Sequence, residues 1–244
     1  GTINHNNSLA KGVTTNTLVY DGRETIIGSS QHNSYTTTTG IIKGGFNYSH
    51  GSQAFGAYYQ YNPEHGDFTN KGSEWMDDQA PILRNIDKRI RAHSHLASLY
   101  YENVFAEKYI LHFDGDFRRS KENNSVATTY PESSNPAVNS KDERTSTLLA
   151  GKLSLNFPLL AGDFTVGTQD SYTHTSLDYR MLNSSVSEYI PSSMTGAQQT
   201  SAALFASWSR MFGKFSLSAG VRYEYVDYDF KVNGLRDEDV RRRD

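Results

Sequence analysis

There is no cysteine in this sequence. That removes disulfide frameworks, thiolate zinc sites and thiol nucleophiles together, and it suits an oxidising envelope. Long hydrophobic runs are missing as well: the longest is Ala202–Ala206, against the roughly 18 apolar residues that a transmembrane helix needs. No glycine-rich phosphate loop occurs, and Gly44-Gly45 reads instead as a bulge or a close strand contact. Neither sign of charge dominates. The net −3 is spread along the chain, so a nucleic-acid surface is not expected. Apolar residues make up 36% and mean hydropathy is −0.64, whereas soluble globular chains hold about 45–50% apolar residues, glycine counted. Gly1-Thr2-Ile3-Asn4 offers no Met, basic n-region or apolar h-region, and the sequence stops in the charged run from Arg236 to Asp244. From its two ends the chain is expected to be a fragment or a processed piece.

What is abundant is tyrosine (16), phenylalanine (12) and a period of two. In Phe212–Phe230 the residues Phe215, Leu217, Ala219, Val221, Tyr223 and Tyr225 share one parity, and Ser216, Ser218, Gly220, Arg222 and Glu224 share the other. Such alternation predicts an extended strand with one apolar and one polar face. It outruns the usual strand of about 5–6 residues and suits the roughly 9–11 tilted residues that cross a bilayer. Equivalent strands are predicted over 40–49, 54–62, 95–102, 108–118, 147–157, 163–179 and 201–210. Their turns fall near 50, 104, 160 and 212, and long loops are expected over 63–91, 119–144 and 181–200. Short and long connections therefore alternate, as in outer-membrane barrels with short periplasmic turns and long extracellular loops. The fold class expected is all-β: an antiparallel up-and-down meander of about 8–10 long strands, a segment of a transmembrane β-barrel. Residues 1–39 are expected to be a poorly defined strand and loop region of the same barrel, with a possible hairpin around Asp21-Gly22. Residues 40–230 form the barrel wall, and 231–244 a charged loop or truncated end.

The succession GIIKGGFNYSHGSQAFGAYYQY (40–61), LLAGKLSLNFPLLAGDFTVGTQDSYTHTSLDYR (148–180) and SAALFASWSRMFGKFSLSAGVRYEYVDYDF (201–230) resembles TonB-dependent outer-membrane receptors. More narrowly, it is similar to the outer-membrane β-barrel branch common in Bacteroidetes, with Phe212–Tyr225 the most specific piece. The resemblance covers roughly 40–230 and implies a middle part of a 22-stranded barrel. It also implies energised import of a scarce nutrient (a metal chelate, cobamide or glycan) through the bacterial outer membrane. The implied partners are outer-membrane lipid, an unidentified small nutrient ligand, and the TonB complex, reached through a plug domain that this sequence lacks. No cofactor and no enzymatic activity are implied.

Several side chains carry candidate chemistry. His112, Asp114, Asp116 and Arg118 share one strand face, as do Arg222 and Glu224, and these are expected to point into the lumen toward a plug or a passing ligand. Trp75, Asp77 and Asp78 in the first long loop, with Tyr130 in the second, are candidates for extracellular ligand capture, because loop aromatics suit sugar or chelate surfaces. His93 and His95 could chelate a metal with His112 or His174. His174 and Ser176 share a face with Phe164 and Val166, so an alternative reading is a small outer-membrane barrel hydrolase. A soluble carbohydrate-binding β-sandwich is the remaining alternative; it would bury Tyr59, Tyr101 and Phe113 between two sheets.

Overall fold

Why these residues form strands is clearest in β2, where Tyr35 is followed by four consecutive threonines and then Ile41 and Ile42. β-Branched and aromatic side chains fit a pleated surface and resist helix. The structure is a computed structural model that describes residues 1–20, 23–183, 187–240 and 242–243. Among these residues lies one 11-stranded sheet. Its long members are β1 (Thr2–Tyr20), β2 (Arg23–His50), β3 (Gln53–Met76), β4 (Ile82–Phe105), β5 (Tyr109–Thr129), β6 (Val138–Leu159), β7 (Gly162–Met181), β8 (Ser193–Phe212) and β9 (Phe215–Val232). Two short strands, β10 (Leu235–Arg236) and β11 (Arg242–Arg243), both pair with β9. Each long strand pairs antiparallel with the next in sequence, with no crossover. The up-and-down meander is therefore the fold. A β-sandwich is excluded, since Greek-key connections would interrupt that order.

Turn chemistry fixes the hairpins. Gly51 takes φ +58° at the first position of the two-residue turn closed by His50 and Gln53, where a positive φ is demanded and glycine supplies it without steric cost. Leu160 and Ala161 lie at φ 56° and 55° between Leu159 and Gly162. Asn233-Gly234, at φ 51° and 80°, turns β9 into β10. The latter is the preferred Asn-Gly hairpin pair, inside a stretch expected to be a charged loop or truncated end. The Asp21-Gly22 turn itself lies outside the described residues.

The three long loops need correction. Connections at that end of the sheet span residues 77–81, 130–137 and 182–192, and the rest of 63–91, 119–144 and 181–200 is strand. Residues 1–39, too, are continuous strand in β1 and β2 up to and beyond the segment around 21–22. The opposite end has connections at 51–52, 106–108, 160–161 and 213–214. The longer connections still gather at one end after the correction, although the two-residue Asn233-Gly234 turn shares that end with them.

Register assembles one apolar face. Directly opposed residues point to the same side of a sheet, so the pairs Phe46↔Ala57, Ala57↔Leu99, Tyr101↔Phe113, Phe113↔Leu153, Leu155↔Val166, Val166↔Ala206 and Ala206↔Val221 join β2 to β9 in one surface. On β5 the apolar positions run from Tyr109 to Phe117, on β6 from Leu149 to Phe157, and on β9 from Phe215 to Tyr225. These lengths match the 9–11 residues that cross hydrocarbon. An aromatic row borders the short-turn rim: ring centroids are 5.4 Å apart for Phe105 and Tyr109, 5.9 Å for Tyr109 and Phe157, and 5.2 Å for Phe157 and Phe164. The Trp208 indole, opposite Phe164, donates from Nε1 to the Leu159 carbonyl at 3.0 Å. Glycines apart, the buried residues among those described, Asn70, Ser154, Met181 and Ala203, belong to the other, polar face, where side chains crowd one another. Apolar groups such as Phe46, Leu99, Phe117, Leu149 and Val221 stay exposed, as a lipid-facing wall requires.

Candidate functional site on the polar face

Between the apolar positions of each strand lie polar ones, and the register lines them up in a row. Tyr100 on β4 opposes Asp114 on β5, Asp114 opposes Lys152 on β6, Lys152 opposes Gln169 on β7, Gln169 opposes Ala203 on β8, and Ala203 opposes Glu224 on β9. The row sits at mid-depth of the apolar band: Asp114 lies between Phe113 and Gly115. Carboxylates and cations at that depth are affordable only on the side away from lipid.

The charges are tied to one another. His112 lies 2.8 Å through Nε2 from an Asp114 carboxylate oxygen and 3.5 Å through Nδ1 from Glu102. The Ser98 hydroxyl donates to Asp116. On β9 the Arg222 guanidinium donates to Glu224 at 3.0 Å and to the Gln169 side-chain carbonyl at 3.3 Å, while the Ser201 hydroxyl donates to Glu224 at 3.0 Å. Lysines use rings on the same face: the Lys43 ammonium lies 4.0 Å from the Tyr58 ring centroid, and that of Lys152 lies 5.7 Å from Phe205. Lys43, Tyr58, Tyr100, Asp114, Lys152 and Gln169 line a concavity of about 810 Å³. A surface of alternating donors, acceptors and aromatic faces can bind a polar solute or a protein surface through many weak contacts.

The sequence-derived candidates thus separate. His112, Asp114 and Asp116 cluster on β5 with Glu102 and Ser98. Arg118 lies farther along the same face, beside Glu122 and Arg144 around a neighbouring concavity of about 690 Å³. Arg222 and Glu224 reach the row from β9 through Gln169. Missing from the expected set were Lys43, Tyr100, Lys152 and Gln169, whose parity opposite Phe46, Leu99, Leu153 and Thr168 was readable in the sequence.

Among the candidates placed in the first long loop, Trp75 belongs to β3, opposite Gly28. A Cβ added to Gly28 would meet the Trp75 indole at 2.1 Å. Asp77, at φ 50°, closes the corner: its backbone N–H donates to the Ile26 carbonyl at 2.7 Å and its carboxylate accepts from the Ile26 N–H at 2.6 Å. Asp78 is exposed beside it. Tyr130 is half-buried at the start of the 130–137 connection, on the same rim.

Both metal combinations fail on geometry. His93 and His95 share the lipid-facing parity, whereas His112 points to the opposite face, and His174 is on β7, three strands from β4. No three His, Asp or Glu side chains converge as metal ligands among the described residues. His174 and Ser176 do share the lipid-facing parity, and the His174 Nδ1 atom is buried without a hydrogen-bond partner.

Similarities to solved structures are low in identity and extend over most of this chain. The chain is 11% identical to the unliganded ferric citrate transporter FecA, over 94% of this chain and 39% of that one, with a TM-score of 0.43. With the ferric yersiniabactin uptake receptor FyuA of Yersinia pestis it shares 11% identity over 94% of this chain and 47% of that one, at a TM-score of 0.36. With the translocator domain of the autotransporter NalP of Neisseria meningitidis it shares 12% over 95% and 82%, at 0.29. The chain therefore spans less than half the length of the two iron-chelate proteins. No curated protein matches it. Residues 105–243, more than half of the chain, match the outer membrane protein beta-barrel family, and with the lipid-facing band and the sequential meander already in place, the chain belongs to that family and resides in the bacterial outer membrane.

Proposed function

We propose that this chain forms part of the barrel wall of a TonB-dependent outer-membrane receptor that imports a scarce nutrient, of the metal-chelate, cobamide or glycan class. The observation that carries the reading is the row Tyr100–Asp114–Lys152–Gln169–Glu224, which places fixed charge and hydrogen-bonding groups on the inner surface at mid-membrane depth. The tail motif Phe212–Tyr225 supports it through its likeness to such receptors. In this reading the outer aromatics anchor the wall, the inner groups face a plug and a passing ligand, and the rim near Trp75, Asp78 and Tyr130 meets the ligand first. Catalysis and a resident cofactor have no part in it, so Ser176→Ala should leave any lipid hydrolysis by the purified protein unchanged.

The test is uptake in cells producing the protein, with labelled ferric chelates, cobamides and oligosaccharides offered in turn. Uptake of one class should stop when the proton gradient is collapsed. Asp114→Asn combined with Lys152→Gln should reduce it at equal surface abundance. Uptake that continues unchanged without the gradient would assign the wall to a passive pore instead.

A further inference from the structure

On the lipid-facing side the apolar band ends, toward the longer connections, in tyrosines. Level with Tyr61 and just beyond it the same face turns basic on β4 and β5. Tyr61 opposes His95, which opposes Arg119; Pro63 opposes His93, which opposes Lys121. The rings form a platform: Tyr61 and His95 centroids are 5.0 Å apart, His93 and His95 5.5 Å, and the Tyr59 hydroxyl meets His95 Nδ1 at 2.5 Å. When that hydroxyl donates, the neutral ring carries its proton on Nε2 and presents it outward. Lys121 is held by Glu143 at 2.8 Å. Arg119 is exposed and has no ion pair among the described residues.

Lys121 is already matched by Glu143, which leaves the Arg119 guanidinium, beside the N–H donors of the imidazole rings, as the charge that an external anion would complement. Their depth says where the anion comes from: level with Tyr61 and two residues past it is the headgroup level of the leaflet on the longer-connection side, which is the outer leaflet with the short turns in the periplasm. We propose that Tyr59, Tyr61, His93, His95 and Arg119 form a docking surface for the phosphorylated headgroup of an outer-leaflet glycolipid. The guanidinium and imidazole N–H groups would take the phosphate, and the tyrosine faces would take the sugar ring. This surface is separate from the inner row and does not depend on what the barrel transports.

The experiment places the full chain in phosphatidylcholine nanodiscs containing either diphosphorylated lipid A or its dephosphorylated form, and counts retained glycolipid by native mass spectrometry. Retention of the phosphorylated form alone is expected, reduced about five-fold by Arg119→Gln, the effect of one cation near an anionic surface, and restored by Arg119→Lys. Arg144→Gln removes the same charge from the opposite face, three residues farther along the strands (Arg144 opposes Glu122, whereas Arg119 opposes Thr147), and should change nothing. Heat-modifiable gel migration confirms that each variant is folded. Equal retention of both lipids, an equal loss in Arg144→Gln, or displacement by millimolar inorganic phosphate would each overturn the assignment.

Discussion

Gly28 has no side chain because Trp75 lies where one would be, with the indole carbons 2.1 and 2.2 Å from the site of a Cβ. A methyl there forces the ring off its rotamer or pushes the β2 and β3 backbones apart, which costs about 1–3 kcal/mol by analogy with overpacked cores. Gly28→Ala should therefore lower the unfolding midpoint in detergent and shift the fluorescence of Trp75, measured in a Trp208→Phe background because tryptophan occurs only twice. The turn at Leu160-Ala161 poses the opposite case. Both residues sit at positive φ, 56° and 55°, a conformation costing an L-residue roughly 1–2 kcal/mol. Replacing the pair by Asn-Gly should stabilise the hairpin by about 1 kcal/mol or more, readable as a higher urea midpoint, and no gain would mean that packing around the turn already offsets the strain.

At the scale of the strand, the lipid band determines which substitutions are tolerated. Leu153 sits in the middle of the apolar run of β6, while its chain neighbour Lys152 points to the polar side and opposes Asp114. Leu153→Arg should cost about 2–4 kcal/mol in reversible unfolding from lipid vesicles, and Thr147→Arg, past the band edge, about 0–1 kcal/mol. Equal costs would mean that the face has been assigned to the wrong side. The same band explains what could be read from the sequence. Within it, lipid on one side and polar groups on the other force a sharp period of two, so 108–118, 147–157 and 215–225 were legible as strands and their faces were correct. Past the band both faces meet water or polar neighbours. Asn70 donates to Gln31 and Asn33, and Asn124 to Glu122 and Asp142. Strands built from Asn, Thr, Ser and Glu on both faces have no hydropathy period, and so read as loops over 63–91 and 119–144. Of the site, His112, Asp114 and Asp116 were visible because they interrupt an apolar alternation within one strand. The row from Tyr100 to Glu224 was not, since it exists only once register aligns separate strands.

The orientation of the whole sheet in the membrane is directly measurable because the sequence holds no cysteine. The short turns at 51–52, 106–108, 160–161 and 213–214 share one rim, and the connections at 77–81, 130–137 and 182–192 share the other. In outer-membrane barrels short turns face the periplasm. Ser134→Cys and Lys214→Cys place single thiols at exposed positions on the two rims. A membrane-impermeant maleimide applied to intact cells should label Ser134→Cys, whereas Lys214→Cys should react only after the envelope is permeabilised. Antiparallel pairing of every long strand with its sequence neighbour ties all the rims together, so this one pair of thiols fixes the orientation of the sheet from β1 to β9. The reverse labelling pattern would put the rim of Trp75, Asp78 and Tyr130 in the periplasm and end their candidacy for ligand capture. It would also move the basic platform at His93, His95 and Arg119 to the inner leaflet.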